Sequence, residues 1–228
     1  MWVPWAENVA KKISEMIEMS VENEIYLVLG LEIENKIVRS GLLAMSTIAK
    51  ISDAITRLLI KHGIDSERAF KCVKTAIQES SKANVHTTKE VCDLRLLFGQ
   101  LRDNGIKIAI CTSDSRKETL NALRKLEIEN YVEMVVCGDD AGAVPKPHPH
   151  NALSICQTLD VDPKINTLVV GDTLADLGMG RSANLGATVG VLSGVCGSDE
   201  LRPQADYIIK DVSELLPLAL DMKARSLS

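Results

Sequence analysis

Residues 168–176 read Leu-Val-Val-Gly-Asp-Thr-Leu-Ala-Asp, and the change of pattern inside this stretch decides the fold. The apolar run predicts a buried strand that ends near Gly171, and the residues after it predict a helix. Asp172 lies where the chain leaves the strand, and Asp176 lies one helical turn further on, so both can face one point. Two such carboxylates suit Mg²⁺, which completes its shell with water and phosphate. Helix capping is the alternative, and it accounts for Asp172 or Asp176 but not both.

The same alternation of strand and helix extends over residues 91–228. We predict strands at 106–111, 131–136, 166–170, 187–191 and 206–209, and helices near 90–103, 115–127, 149–159, 174–184 and 212–220. Such short spacings are typical of a parallel sheet wrapped by helices, so the predicted fold class is α/β with a Rossmann-like core. Ligands of these folds bind beyond the carboxyl ends of the strands.

A polar segment, Thr112-Ser113-Asp114-Ser115, follows the first predicted strand. A hydroxyl at a strand end, followed by free backbone N–H groups at a helix start, forms a natural phosphate cradle. Ser, Thr and Asp are also the commonest helix caps. Taken alone, the segment therefore leaves capping open.

The loop Val144-Pro145-Lys146-Pro147-His148-Pro149 follows a later strand. Two prolines hold the lysine in a stiff, extended segment, where its ammonium can neutralise a phosphate and a carboxylate together. A solvated loop lysine is the alternative. His148 and His150 have metal-ligand chemistry, but in a proline-rich loop without a nearby cysteine they are better read as loop or helix-cap residues.

The first 90 residues have a helical pattern instead. Pro4 suits a first helical turn, and apolar residues recur at helical spacing from there. Further helices are predicted at about 47–61, where Ile48, Ile51, Ile55 and Leu58 repeat, and at 66–80.

Composition limits the classes of partner. The 228-residue chain carries a net charge of −5, with 46% hydrophobic and 25% charged residues. This is an ordinary globular composition, and it predicts neither a nucleic-acid nor a membrane partner. None of the six cysteines forms a Cys-x-x-Cys pair, which favours reduced thiols and a cytoplasmic location.

Together the three polar segments resemble motifs two, three and four of the haloacid dehalogenase-like hydrolases, most closely the phosphoglycolate phosphatase-like branch. The resemblance implies that Thr112 and the Ser113 amide hold the transferring phosphoryl group of a small phosphorylated metabolite. It implies that Lys146 is catalytic, bridging nucleophile and phosphate, and that Asp172 and Asp176 hold Mg²⁺. Residues 1–90 would be a helical cap domain and 91–228 the core domain. We expect Thr112, Lys146 and Asp172 to converge on one pocket.

The chain departs from the family at motif one, a strand that ends in Asp-x-Asp-Gly-Thr/Ser and carries the nucleophile and the general acid. No segment matches it. The stretch Ile25–Glu34 has an apolar run and paired carboxylates but Glu for Asp and no Gly-Thr, and it lies inside the cap pattern. Residues 2–7 resemble the stretch just downstream of motif one, so we expect a truncated isoform or a chain started at an internal methionine.

In this family the motif-one strand lies at the centre of the sheet, between the strands that end at Thr112 and Asp172. Its absence would leave buried peptide groups unpaired, at roughly 1–3 kcal/mol each. It would also remove apolar side chains worth roughly 1.5–3 kcal/mol each. Because a domain is stable by only about 5–15 kcal/mol, we expect the chain to fold poorly alone.

Three functions stay open at this point. The first is a Mg²⁺-dependent phosphatase of small phosphomonoesters, inactive as this chain. The second is a non-catalytic module that binds a phosphate ligand or a protein. The third, less favoured, is a dehalogenase. Neither the substrate nor the oligomeric state follows from the sequence.

Overall fold

A computed structural model describes residues 2–32, 37–38, 41–84 and 90–226. The chain divides into two compact units, Met1–Thr88 and Lys89–Ser228. The predicted domains, residues 1–90 and 91–228, stay a prediction, since compactness alone does not show that either unit folds or acts independently.

The N-terminal unit is mainly helical. Its helices are α1 (Trp2–Ile17), α2 (Glu22–Leu29), α3 (Leu42–Met45), α4 (Ile48–Lys61) and α5 (Ser66–Asn84). Helix α4 illustrates why they form: Ile51, Ile55 and Leu59 recur every fourth residue and are buried on one face. Thr47 caps this helix by accepting a hydrogen bond from the Lys50 N–H at 3.4 Å.

The stretch Ile25–Glu34 does not form a strand of a parallel sheet. Its first part belongs to α2, and the two-residue strand β1 (Leu31–Glu32) pairs antiparallel with β2 (Ile37–Val38). Ile33 and Glu34 lie outside the described residues. The described part of this stretch therefore contains no strand of the kind that carries the family's nucleophile.

The C-terminal unit alternates strands and helices, which confirms the predicted α/β class. Its strands are β3 (Ala109–Cys111), β4 (Met134–Val136), β5 (Leu168–Gly171), β6 (Ala187–Val191) and β7 (Tyr207–Ile209). Its helices are α6 (Leu94–Asp103), α7 (Arg116–Lys125), α8 (His150–Thr158), α9 (Pro163–Asn166), α10 (Leu174–Ser182), α11 (Ser198–Leu201) and α12 (Leu215–Ser226).

The strands of this unit form two separate parallel sheets. One pairs β3 with β4, and the other has the order β5–β6–β7. Among the described residues no strand joins β3 to β5. Two of the three polar segments follow the carboxyl ends of β3 and β5, and the third, which contains Lys146, lies in the loop after β4. The parallel topology therefore places all three at the same end of the sheets.

Several strands are shorter than predicted, for local reasons. Strand β3 begins at Ala109 rather than at 106 because the Ile108 N–H donates to the Glu133 carboxylate at 2.6 Å, not to a backbone partner. Strand β4 begins at Met134 because residues 129–131 form a 3-10 turn. Strand β5 begins at Leu168 because Asp162 caps the short helix α9, which takes up residue 166. Within the described residues no helix is both long enough and apolar enough to cross a membrane.

Candidate functional site

Lys146 lies at the centre of the candidate site. Its Nζ donates to Asp176 Oδ1 at 2.6 Å and to the Cys111 carbonyl oxygen at 3.4 Å. Cys111 is the last residue of β3 and Asp176 lies in the first turn of α10, so one ammonium connects the ends of two strands of different sheets. The Lys146 and Asp176 side chains are each only 12% exposed, and the pair is therefore largely withdrawn from water.

The surroundings keep Lys146 charged. Burial on its own would lower the pKa of Lys146, but the charge and hydrogen bond of Asp176, with the more distant charge of Asp172, raise that pKa above its usual value. The ammonium is thus a permanent positive charge at neutral pH. A fixed cation at a strand end is suited to binding an anion.

Asp176 is held by the start of its own helix. Thr173 caps α10, and the Asp176 carboxylate accepts hydrogen bonds from the Thr173 N–H at 3.1 Å and the Thr173 hydroxyl at 2.6 Å, both at Oδ2. A Cβ at Gly171 would lie 2.2 Å from the Asp176 Cβ, so only glycine fits there. Because Oδ1 accepts from Lys146, both oxygens of Asp176 are engaged.

Asp172 faces the loop after β6. Its Oδ2 accepts the Val195 N–H at 2.9 Å, and its carbonyl oxygen accepts the Cys196 N–H at 3.0 Å. A Cβ at Gly194 would lie 2.0 Å from Asp172 Oδ2, so this close approach requires glycine. The second carboxylate oxygen, Oδ1, has no hydrogen-bond partner within the described residues.

The carboxylates of Asp172 and Asp176 differ in their suitability as metal ligands. No group of three or more His, Cys, Asp or Glu side chains arranged to hold a metal ion occurs in the described ranges. Mg²⁺ needs only one or two protein carboxylates when water and phosphate supply the other ligands. Asp172, with one uncommitted oxygen, fits that requirement, whereas Asp176 fits as a support for Lys146.

Thr112 and Ser113 follow β3 directly. The Thr112 N–H donates to the Val136 carbonyl oxygen at 2.9 Å, and its Oγ1 accepts the Asp114 N–H at 3.1 Å. The Ser113 N–H has no hydrogen-bond partner in the part of the chain that the structure describes. The Ser113 amide is therefore an available donor of this segment.

The start of α7 is already capped. Ser115 accepts the Glu118 N–H at 3.4 Å, and the Asp139 carboxylate accepts the Arg116 N–H at 2.7 Å. The capping alternative thus holds for Ser115. The Arg116 and Glu118 N–H groups at the start of the helix are already occupied, whereas the Ser113 N–H before the helix has no partner in the described part of the chain.

Asp114 and Asn151 were not singled out by the sequence analysis. Burial raises the pKa of Asp114, while the Lys146 charge and a Thr112 hydrogen bond oppose that rise.

Asn151 Oδ1 accepts the Val144 N–H at 3.0 Å, and its Nδ2 donates to the Val144 carbonyl oxygen at 2.8 Å. Asn151 is 6% exposed, and this two-point contact holds the loop that carries Lys146. A polar residue on the buried face of a predicted helix was the available signal.

The two histidines lie where the sequence placed them. His148 is in the loop, and its Nδ1 accepts the His150 N–H at 3.2 Å as α8 begins at His150. No metal role is needed to explain either residue.

The structure brings the predicted site residues to one end of the two sheets. Lys146 touches Asp176 and the residue before Thr112, and it interacts electrostatically with Asp172. The fold and these contacts define an α/β protein with a buried cation, an unpaired backbone N–H and a carboxylate oxygen clustered at strand ends. That class of site is suited to a phosphate group and a divalent cation.

Comparison with known proteins identifies the family. The chain belongs to the haloacid dehalogenase-like hydrolases, whose family model matches residues 24–190. It is 33% identical over 122 residues to the pyrophosphatase PpaX of Bacillus mycoides strain KBAB4, which covers 52% of this chain and 54% of that protein. It is 29% identical over 128 residues to the phosphorylated carbohydrates phosphatase of Thermotoga maritima, covering 56% and 57% respectively.

The fold has a close counterpart among solved structures. A predicted phosphoglycolate phosphatase from Haemophilus somnus superimposes with a TM-score of 0.68 at 18% identity, covering 93% of this chain and 91% of that one. By sequence, the chain spans a little over half the length of the two curated relatives.

Proposed function

We propose that this chain carries the phosphate- and magnesium-binding part of a phosphatase that acts on small phosphomonoesters. The observation that carries the proposal is the position of Lys146, whose Nζ lies 2.6 Å from Asp176 Oδ1 and 3.4 Å from the Cys111 carbonyl oxygen. One charged group thereby lies at the end of the strand that Thr112 and Ser113 follow, and it interacts electrostatically with the Asp172 carboxylate. The names of the matched relatives, a pyrophosphatase and a phosphatase of phosphorylated carbohydrates, support a small phosphorylated substrate.

Each residue has a distinct proposed role. The Ser113 N–H, with Thr112, binds the phosphoryl oxygens, and Lys146 offsets their charge where it develops. Phosphatases of this family generally use Mg²⁺, and Asp172 would hold it, with Asp176 keeping Lys146 in place. A metal held there would supply Lewis-acid stabilisation of the phosphoryl oxygens.

A second candidate is a binding module without turnover. The observation in its favour is that no segment of the 228 residues reads Asp-x-Asp-Gly-Thr or Asp-x-Asp-Gly-Ser, so the carboxylate nucleophile of the family has no counterpart in this chain. Under both candidates the chain itself binds phosphate, and we propose that by itself it does not turn substrate over. The dehalogenase alternative has no such support from the site.

Calorimetric titration of inorganic phosphate into the 228-residue chain, with and without Mg²⁺, tests the proposal. We expect phosphate binding that tightens with Mg²⁺ and weakens at least tenfold in Lys146→Met, equivalent to about 1.4 kcal/mol. Lys107→Met is the control, because Lys107 donates to the Leu159 carbonyl oxygen instead. Equal phosphate binding by wild type and Lys146→Met would refute the assigned role of Lys146.

Product assays test the lack of turnover that both candidates share, and they test the dehalogenase alternative. Phosphate release from p-nitrophenyl phosphate by the chain would contradict the proposed lack of turnover and favour a complete enzyme. Phosphate binding without release is the result expected under both candidates, and halide release from a haloacid would favour the dehalogenase.

A further inference from the structure

Asp114 is the acidic residue of the polar segment 112–115 that follows β3. Its N–H donates to Thr112 Oγ1 at 3.1 Å, and its carbonyl oxygen accepts the Gly138 N–H, from the loop after β4, at 2.9 Å. The backbone of Asp114 is therefore held from two sides. Its carboxyl group starts from a fixed point, one residue beyond the Ser113 amide.

The chain that follows Asp114 is fixed as well. The Arg116 N–H donates to the Asp139 carboxylate at 2.7 Å, and the Arg116 guanidinium donates to both carboxylate oxygens of Asp140 at 2.6 Å. These contacts tie the start of α7 to the loop after β4. The segment therefore cannot carry Asp114 away from Ser113 without breaking hydrogen bonds on both sides of it.

The carboxyl group of Asp114 belongs electrostatically to the candidate site. Burial raises the pKa of Asp114, helped by the charge of Glu118, while the charge of Lys146 lowers it. Lys146 is itself paired with Asp176 at 2.6 Å. No salt bridge to Asp114 occurs in the part of the chain that the structure describes. Asp114 therefore adds a negative charge near Lys146 that no cation of its own offsets.

The positive charge of the site suffices for one phosphate group. Lys146 and a divalent cation on Asp172 would supply three positive charges, against the three carboxylates of Asp114, Asp172 and Asp176. Arg116, in the same loop as Asp114, is bound to Asp140. A second anionic group on the ligand would therefore meet the Asp114 carboxylate without a cation between them, and like charges repel most strongly where water is scarce.

We propose that Asp114 determines substrate specificity: the site binds phosphomonoesters whose leaving group carries a hydroxyl near the phosphate, and it disfavours those with a second anionic group there. An ionised carboxylate only accepts hydrogen bonds, so a hydroxyl satisfies it and another anion does not. The inference rests on the proposed phosphatase function and narrows its substrate class. Between the two matched relatives, it favours the chemistry named in the phosphorylated carbohydrates phosphatase over that named in the pyrophosphatase.

Two ligands that differ only in this group test the proposal. 2-Hydroxyethyl phosphate carries a CH₂OH group where phosphoglycolate carries a carboxylate. Each is titrated calorimetrically into the 228-residue chain with Mg²⁺ at pH 8, and inorganic phosphate is titrated as the reference. We expect the wild type to bind 2-hydroxyethyl phosphate at least about tenfold more tightly than phosphoglycolate, because Asp114 repels only the second ligand's carboxylate.

Asp114→Asn removes the charge and keeps the shape of the side chain. We expect it to tighten phosphoglycolate and weaken 2-hydroxyethyl phosphate, so that the ratio of the two affinities falls by about tenfold. A merely structural role would weaken both ligands alike and leave this ratio unchanged. Asp139→Asn is the matched control, because it makes the same change in net charge in the loop after β4 and keeps the acceptor for the Arg116 N–H.

Each outcome decides the proposal. A wild-type preference for 2-hydroxyethyl phosphate that is lost in Asp114→Asn and kept in Asp139→Asn supports it. Equal or tighter binding of phosphoglycolate by the wild type overturns it, even if Asp114→Asn does not fold. A ratio that Asp114→Asn leaves unchanged, or that Asp139→Asn changes equally, also overturns it. If inorganic phosphate does not bind the wild type, the proposed phosphatase function is wrong and this inference with it, whereas in the other outcomes inorganic phosphate still binds.

Discussion

Strands β5 and β6 are hydrogen-bonded neighbours with similar apolar sequences, yet their burial differs. Every residue of β6 is buried, and the strand is paired with β5 on one side and β7 on the other. In β5 only Gly171 is buried, and among the described residues the strand is paired on one side only. Burial in this sheet is therefore set by the number of neighbouring strands and not by the hydrophobicity of the strand itself.

The same difference separates structural residues from those near the site. The fully flanked strand β6 contributes core packing, whereas the half-flanked strands β3 and β5 end at the residues of the candidate pocket. Lys146 connects these two strand ends through polar contacts. Substitutions in β6 and substitutions in β3 or β5 should consequently lower the free energy of unfolding by different amounts.

Removing the counter-ion of Lys146 should have the largest effect. Asp176→Ala leaves the Lys146 ammonium, whose side chain is only 12% exposed, without its partner. It also removes the carboxylate that accepts hydrogen bonds from the Thr173 N–H and hydroxyl. We expect a loss of about 3–5 kcal/mol in the free energy of unfolding, measured by urea denaturation. The exposed pair Arg57–Asp53, with side chains 73% and 59% exposed, is the control, and Asp53→Ala should cost under about 0.5 kcal/mol. Equal losses in the two variants would contradict the burial of the Lys146 pair.

Truncation of one valine in each strand tests the comparison directly. Val189 of β6 is 0% exposed, and Val189→Ala should lower the free energy of unfolding by about 2 kcal/mol, from lost burial and a cavity. Val170 of β5 is partly exposed, and Val170→Ala should cost about 1 kcal/mol or less. A larger loss at Val170 would show that β5 is flanked on both sides in solution.

Loss of the loop anchor should have a smaller effect on stability. Asn151→Ala removes both hydrogen bonds to Val144, and because Val144 is partly exposed, water replaces them in part. We expect a loss of about 1 kcal/mol in the free energy of unfolding, together with weaker phosphate binding. Asn151→Asp keeps the acceptor for the Val144 N–H, so it should retain part of the stability and part of the phosphate affinity. Phosphate affinity unchanged in Asn151→Ala would mean that Lys146 is positioned without this contact.

The smallest effect should be a change in pH dependence at Asp114. Burial raises the pKa of Asp114 in the folded state above the ordinary 3.8. As pH rises, Asp114 therefore loses its proton at a lower pH in the unfolded chain than in the folded one. Stability from this group is therefore present below the ordinary pKa and falls as pH rises through the folded pKa. Asp114→Asn removes that fall, so its stability advantage over wild type should grow from about pH 3.5 to pH 7. An advantage that shrinks with pH would contradict the direction of the shift.

Local patterns predicted the strands of the C-terminal unit and most of the longer helices, but not all of their bounds. Strand β6 lies at the predicted residues 187–191, where a compact apolar run has turn residues on both sides. Helix α2 was missed because Ile25–Leu29 is a short apolar run, for which periodicity does not distinguish helix from strand. The three site segments were also found locally, since each is a strand end or a rigid loop.

The contacts between segments lay beyond the reach of the sequence. Nothing near Lys146 in the chain specifies that its ammonium binds Asp176, thirty residues away, or the carbonyl of Cys111, thirty-five residues away. Long-range geometry of this kind is set by packing.

The account depends most on the claim that Ser113, Lys146 and Asp172 line one anion pocket. Titrating inorganic phosphate with Mg²⁺ into ¹⁵N-labelled protein, and following the Ser113 amide and the Lys146 ammonium by NMR, tests that claim most directly. The account predicts that both resonances shift with one dissociation constant, while the Thr112 amide, already bound to Val136, shifts little. A Ser113 amide that does not respond, or that follows a different constant from Lys146, would contradict it.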